Sequence, residues 1–227
     1  MESNLNEVVI LDLFGLPGSG KTTISKSMSL NKKQYGYKIQ DNIYKINNNY
    51  GAFRRMFIKL LNTFSYTIKN LFFLIDLFSL VGKDSFTSNK ELIKQWINIC
   101  FVLSNINKSR GKDIIIADQG IVQAAISLSY NNEDININTI IKKINEKVLF
   151  RIKHIYISIE IETCLKRLEQ RKNGKSRLDN ETRINIRKYH LESIKGLCEK
   201  INREFNCIVI DNNKDQKYTI NNEVNFK

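Results

Sequence analysis

The stretch that most restricts what this chain can fold into is Val8 to Thr23, VVILDLFGLPGSGKTT. An apolar run from Val8 to Phe14 leads into Gly15-Leu16-Pro17-Gly18-Ser19-Gly20-Lys21-Thr22, the pattern G-x-x-x-x-G-K-T, with Thr23 behind it. Glycines in such a loop let successive backbone N–H groups turn inward around an anion, and a helix starting near Lys21 adds its positive end. The Lys21 ammonium then reaches the outer phosphates of a nucleotide, and the Thr22 hydroxyl is placed to ligate Mg²⁺. Three of the chain's ten glycines and its only proline fall between Gly15 and Gly20, where the loop needs unusual backbone geometry. The strand-like run before the loop and the helical run after it distinguish it from a glycine-rich turn that binds nothing. Gly15, Pro17, Gly18, Ser19, Gly20, Lys21, Thr22 and Thr23 are therefore the candidate contacts to nucleotide phosphates.

The 227 residues suffice for one large α/β domain. No repeat and no Pro-, Gly- or Ser-rich linker divides them, so the expectation is a single domain over 1–211 and a polar, Asn-rich tail over 212–227. Cys100, Cys164, Cys198 and Cys207 show no C-x-x-C spacing, and His154 and His190 join none of them in a metal-ligand pattern. That argues against a zinc site or a disulfide framework and for buried thiols in a reducing compartment. Together with the polar start MESNLNE, which lacks signal-peptide character, it points to a cytoplasmic protein. The segment 71–81, LFFLIDLFSLV, is too short to span a bilayer and reads as a buried helix in preference to a membrane-surface one. The net charge of +13 is spread along the chain. A solvated surface with phosphate-binding residues is favoured over a nucleic-acid or acidic-membrane partner.

Hydrophobic periodicity predicts a helix over 22–34 stopped by Gly36, a short strand over 37–40 and a long apolar helical region over 52–80, broken near Asn62 or Asn70. A helix capped by Asn89 runs to 107, and a strand covers 113–118. Helices over 120–130 and 139–150, a strand over 154–159 and an amphipathic helix carrying Ile161, Cys164, Leu165 and Leu168 follow. A long helix from about 180 to 205 and a strand over 207–210 complete the pattern. Short apolar strands alternating with helices predict a five-stranded parallel sheet covered on both faces, a three-layer α/β fold. Ligands of such sheets bind at the carboxyl ends of the strands, where the phosphate loop, Asp41, Asp118 and the segment after Ile159 all fall.

Several residues at those ends carry candidate chemistry. Ile114-Ile115-Ile116-Ala117-Asp118 is four apolar residues and an acid, and such a carboxylate holds Mg²⁺ or its waters opposite Thr22; the other reading is a cap for the following helix. Asp41 is placed to accept the proton of an attacking hydroxyl or to make an ordinary Asp-Asn turn. Arg54 and Arg55 suit a phosphate or carboxylate on the acceptor, or stand as exposed helix charges. Gln119 and Gln123, beside Asp118, complete the acceptor-side candidates. Arg171 lies on the inward stripe of its helix. With Arg177, and Arg167 as a third candidate, it belongs to a basic segment able to close over a nucleotide and neutralise a transferring phosphoryl group; a solvated charge run is the alternative.

Gly15 to Thr23, the strand ending in Asp118, and Cys164 to Arg171 followed by Ser176-Arg177-Leu178-Asp179 resemble the P-loop nucleoside and nucleotide kinases, thymidylate-kinase-like proteins most of all. The resemblance in element order spans nearly the whole chain. It implies ATP with Mg²⁺ as donor, a small lid over about 171–180, and the roles given above for Lys21, Thr22, Asp118, Arg171 and Arg177. The pattern departs from thymidylate kinases at Gln119, where they carry an Arg, at Leu16-Pro17, where they carry an acid, and at Asn180, where the lid repeats an Arg.

The expected function is ATP-dependent phosphoryl transfer to a small-molecule acceptor of nucleoside or nucleotide type. A sugar or other metabolite kinase and a P-loop ATPase or switch acting on a protein partner are the alternatives. A GTPase is disfavoured, since Asn89-Lys90-Glu91-Leu92 fails the Asn-Lys-x-Asp guanine signature at its last position. The apolar region 53–81 lines an acceptor pocket, forms a homodimer interface or completes the core.

Overall fold

The computed structural model describes residues 8–34, 36–40, 46, 49–81, 90–108, 112–129, 135–170 and 183–213. Asp41, Asn89, Arg171, Arg177 and the whole of the expected lid over 171–180 lie outside the described residues.

Five strands, β1 (Val9–Gly15), β2 (Ile39–Gln40), β3 (Ile114–Ala117), β4 (Arg151–Ser158) and β5 (Ile208–Asp211), form one sheet in the order β2-β3-β1-β4-β5. All its pairings are parallel. The helices among the described residues are α1 (Lys21–Gln34), α2 (Ala52–Lys69), α3 (Leu71–Ser79), α4 (Lys90–Asn107), α5 (Ile121–Ser129), α6 (Ile137–Lys147), α7 (Ile161–Glu169) and α8 (Ile184–Phe205).

β1 sits at the centre and is buried along its whole length, as a strand covered on both faces must be. On one face Leu11 and Leu13 pack with Ile24 and Met28 of α1 and with Ile116 and Ile155 of the neighbouring strands. On the other, Ile10 and Phe14 enter a larger core built with α4, α5, α6 and α8. Phe14 stacks on its cross-strand partner Tyr156 at 5.3 Å between ring centroids.

The second face carries one charged residue in the middle of β1. Asp12 is fully buried. Val122 N–H donates to its Oδ2 at 3.1 Å, and His154, its register partner on β4, places Nδ1 2.9 Å from the same oxygen. Asn145 Nδ2 lies 3.0 Å from His154 Nε2, so a neutral ring with its proton on Nδ1 satisfies both neighbours. Gly120 makes this approach possible, because a Cβ there would overlap Asp12 Oδ1.

Some boundaries differ from the sequence reading. The helix expected over 139–150 begins earlier, at Ile137, where the Asn136 side chain accepts from Thr139 N–H at 3.2 Å. It ends at Lys147, and β4 starts at Arg151 because β1 offers it a parallel partner from Val9 onward. The break in the long apolar region falls at Asn70 (φ −129°, ψ 30°) and not at Asn62. The segment expected to be a buried helix is α3, and it buries only one side: Leu74 and Leu77 are inside, whereas Phe72 is 88% exposed.

Two substitutions test this packing. Gly120→Ala is expected to destabilise the fold by about 1–3 kcal/mol through overpacking against Asp12. Gly196→Ala, inside α8 where a Cβ meets nothing within 4 Å, is expected to stabilise it by about 0.5–1 kcal/mol. Urea unfolding of both variants checks the contrast.

Candidate active site

The loop between β1 and α1 turns through positive φ at Gly15 (149°), Gly18 (90°) and Gly20 (90°), a path that side chains rarely follow. At Gly15 space is also short, since a Cβ would stand 2.5 Å from the Ile157 carbonyl oxygen on β4. Ser19 N–H donates to the Leu16 carbonyl at 3.0 Å. The Lys21 ammonium is held over the loop, donating to the Gly15 and Leu16 carbonyls at 2.9 Å each.

Asp118 follows β3, which lies beside β1, so the sheet order itself brings it to the loop. Thr22 Oγ1 donates to Asp118 Oδ2 at 3.2 Å. Asp118 is 2% exposed, and its Oδ1 has no hydrogen-bond partner among the described residues. A buried, unpartnered carboxylate oxygen beside a hydroxyl is a donor set that suits a hard cation such as Mg²⁺, so Thr22 and Asp118 fit the metal site read from the sequence. Burial pushes the Asp118 pKa up from its ordinary value, while the Thr22 hydrogen bond and the Lys21 charge pull it down.

Further residues brace the loop. Gln123 Oε1 on α5 accepts from Gly15 N–H at 3.2 Å; the sequence reading placed Gln123 on the acceptor side. Cys164 Sγ on α7 donates to the Pro17 carbonyl at 2.6 Å. Asn212, just past β5, donates from Nδ2 to the Ser19 carbonyl at 2.7 Å and from its own N–H to Ser158 O at 2.9 Å. Arg167 Nη2 donates to the Asn212 carbonyl at 3.1 Å. A Cβ at Gly20 would overlap Asn212 Nδ2. Asn212 was assigned to the polar tail, as was Asn213. Here Asn212 is buried, and Asn213 Oδ1 accepts from Glu160 N–H at 2.6 Å. Both belong to the fold because the carboxyl ends of β4 and β5 need partners for their outgoing backbone.

The other expected acceptor-side residues divide. Arg54 is exposed and stacks over the Tyr50 ring at 4.6 Å. Arg55 is half-buried on the same side of α2 as Lys59; consecutive helix positions do not face each other. Gln119 is exposed. Lys59 was not singled out from the sequence. Its ammonium lies 4.9 Å from the Phe101 ring centroid. Burial pushes its pKa down, the Arg55 charge does the same, and the Asp118 charge opposes both. Its position four residues after Arg55 was the available signal.

None of the four cysteines is in a disulfide, and burial pushes the thiols of Cys100, Cys198 and Cys207 up to about 12, which keeps these three protonated and unreactive. No helix among the described residues is long and apolar enough to cross a membrane.

No protein-family model matches the chain, and no curated protein matches it. Two solved structures of the deoxyadenosine kinase from M. mycoides are similar to it. The one with bound dATP shares 16% identity and a TM-score of 0.50, over 93% of this chain and 94% of that chain. The one with bound dCTP shares 18% identity and a TM-score of 0.49, over 93% of both. The chain, with its five-stranded parallel sheet, shares the α/β fold of the structure with bound dATP.

The raised Asp118 pKa has a stability consequence with a definite sign. A carboxyl whose folded-state pKa lies above its unfolded value contributes stability below the unfolded pKa and loses it as pH rises through the folded one. Asp118→Asn is therefore expected to raise Tm at neutral pH, by about 2–4 °C for each kcal/mol of relief, and to leave Tm unchanged in acid. Thermal unfolding of the ligand-free protein across pH measures it.

Proposed function

We propose that this protein is an ATP-dependent kinase that phosphorylates a nucleoside or a nucleoside monophosphate. The observation that carries the reading is the Thr22–Asp118 contact, which joins the end of the phosphate loop to an unsatisfied carboxylate at the end of the adjacent strand. The likeness to the M. mycoides deoxyadenosine kinase fold supports a nucleoside-type acceptor. The half-buried Arg55 and Lys59 near Asp118 favour one that bears an anionic group.

In the proposed step an acceptor hydroxyl oxygen bonds to the terminal phosphorus of ATP while the bridging P–O bond breaks and ADP leaves. The hydroxyl proton passes to a carboxylate, for which Asp118 and Asp41 are the candidates. Backbone N–H groups of the loop from Gly15 to Thr23 cradle the phosphates, and Lys21 neutralises the outer ones. Thr22 and Asp118 would hold Mg²⁺, which would supply charge neutralisation at the phosphate oxygens. Arg171 and Arg177 follow α7, whose Cys164 touches the loop at Pro17, and they are candidates to stabilise the charge that builds on the transferring group.

The direct test is transfer of labelled terminal phosphate from ATP with Mg²⁺ to pooled nucleosides, nucleoside monophosphates, sugars and oligonucleotides. Label on a nucleoside or nucleotide pool that falls by about 100-fold or more in Lys21→Ala is the expected result; label released only as free phosphate would point to an ATPase or switch. kcat/KM, which reports the ligand-free enzyme, is expected to decline on the acid side through a pKa above the ordinary carboxylate range, because Asp118 must ionise before it takes up the metal. In Lys59→Met the acceptor KM should rise while the ATP KM stays put.

A further inference from the structure

We infer that the cavity between α5, the start of α6 and α8 is a second ligand site, one that takes an aliphatic carboxylate, and that its occupancy acts on the phosphate loop through α5. The site stands independently of the kinase reading; its effect on transfer rests on that reading.

The cavity measures 450 Å³, within the range of about 300–1,000 Å³ that small-molecule sites occupy. Its apolar wall is Ile126, Ile135, Ile137, Ile194 and Leu197. No Phe, Tyr or Trp ring lines it among the described residues, so a flat nucleobase would find no such ring to stack on. Aliphatic walls suit an alkyl chain instead. Along α8 the lining runs from His190 to Lys200, about 15 Å at the rise of a helix, which gives an extended chain room to lie.

α8 gives up some of its own stability at this cavity. Gly196 lines it from within a 22-residue helix, and a glycine there is destabilising relative to alanine. Its φ is not positive, and a Cβ would meet nothing within 4 Å. Neither backbone geometry nor packing among the described residues calls for a glycine. What the missing side chain provides is bare helix surface against the cavity.

Charge sets the head group. Lys200 and His190 lie on the cavity, and no acid does among the described residues. Asn136 caps α6 by accepting from Thr139 N–H. The next residue, Ile137, is on the cavity wall, so the positive end of that helix is there as well. Ser193, exposed on α8, adds a hydroxyl donor. One ammonium and one hydroxyl match a head of single charge, so a carboxylate fits better than a dianionic phosphate.

α5 connects the cavity to the loop. Ile126 lines the cavity one turn after Gln123, whose Oε1 accepts from Gly15 N–H, and residues three apart share a helix face. Ser129 Oγ closes the last turn of α5 on the Ile126 carbonyl at 3.0 Å. A chain held between α5 and α8 fixes this helix, and with it the Gln123 brace on the loop.

Titration calorimetry of the full chain with decanoate is expected to show one site, and decanol is expected to bind it more weakly. Gly196→Leu, a better helix former that fills the cavity, is expected to raise Tm and to weaken decanoate by about 10-fold or more. Lys200→Glu is expected to weaken decanoate by about 10-fold and to leave decanol unchanged. With saturating ATP the wild type should bind decanoate about five-fold more tightly, and decanoate should tighten ATP by the same factor. No decanoate binding, or binding indifferent to Gly196→Leu, overturns the site. Equal affinity for decanoate and decanol, or indifference to Lys200→Glu, overturns the carboxylate class. Decanoate binding that ATP leaves unchanged overturns the coupling. Decanoate binding coupled to ATP binding, in a chain that transfers label to no acceptor pool, leaves the site standing and rejects the kinase reading.

Discussion

A carboxylate sealed inside the sheet is the constraint on which the active-site geometry depends. Buried ionisable groups must be partnered, and Asp12 finds its partners in two elements outside its own strand: His154 on β4 and the N-terminus of α5 at Val122. α5 is thereby tied across β1, with Gly120 as the point of closest approach. Everything the loop needs from outside itself on that side lies within a few residues of this tie: Asp118 just before it and Gln123 just after it. A one-residue slip of β1 would move Asp12 to the opposite face, toward α1 and the apolar cluster around Ile24 and Met28. The same group that makes the core polar at one point makes its register unique.

Around the phosphate loop the charges are arranged with a bias. Lys21 and Lys59 lie within electrostatic reach of one acid, Asp118, and Arg55 within reach of Lys59; burial and Arg55 push against the Lys59 charge, and burial pushes against the Asp118 charge. Such a cluster is under tension that an incoming polyanion with its counter-cation relieves.

What was legible in the sequence follows from how local each requirement is. The loop from Gly15 to Thr23 could be read because a cradle of backbone N–H groups fits few residue types, and Asp118 because a buried strand announces its own end. The parallel sheet could be read because strands covered on both faces are apolar throughout. The helix around 139–150 was drawn too long because Val148, Leu149 and Phe150 prolong the apolar pattern, although Leu149 is 88% exposed and the chain is already leaving for β4. α3 was expected inside because hydrophobicity says that a side chain leaves water but not against what. Asp12 and His154 give no local sign, being 142 positions apart, and Asn212 was hidden in a run of polar residues whose composition resembles a tail.

That last residue bears on how the protein is made. The Asn212 side chain meets the Ser19 carbonyl across 193 positions of sequence, and its backbone continues the carboxyl edge of β4. The phosphate loop is synthesised well before one of its walls, which arrives only after β5. Until then β1 has neither its full set of sheet neighbours nor its covering helices, and its two apolar faces must be kept from other chains. Contacts this distant in sequence slow folding, so the nascent chain remains open for much of its synthesis. Nucleotide retention during translation would mark the moment when the sheet closes.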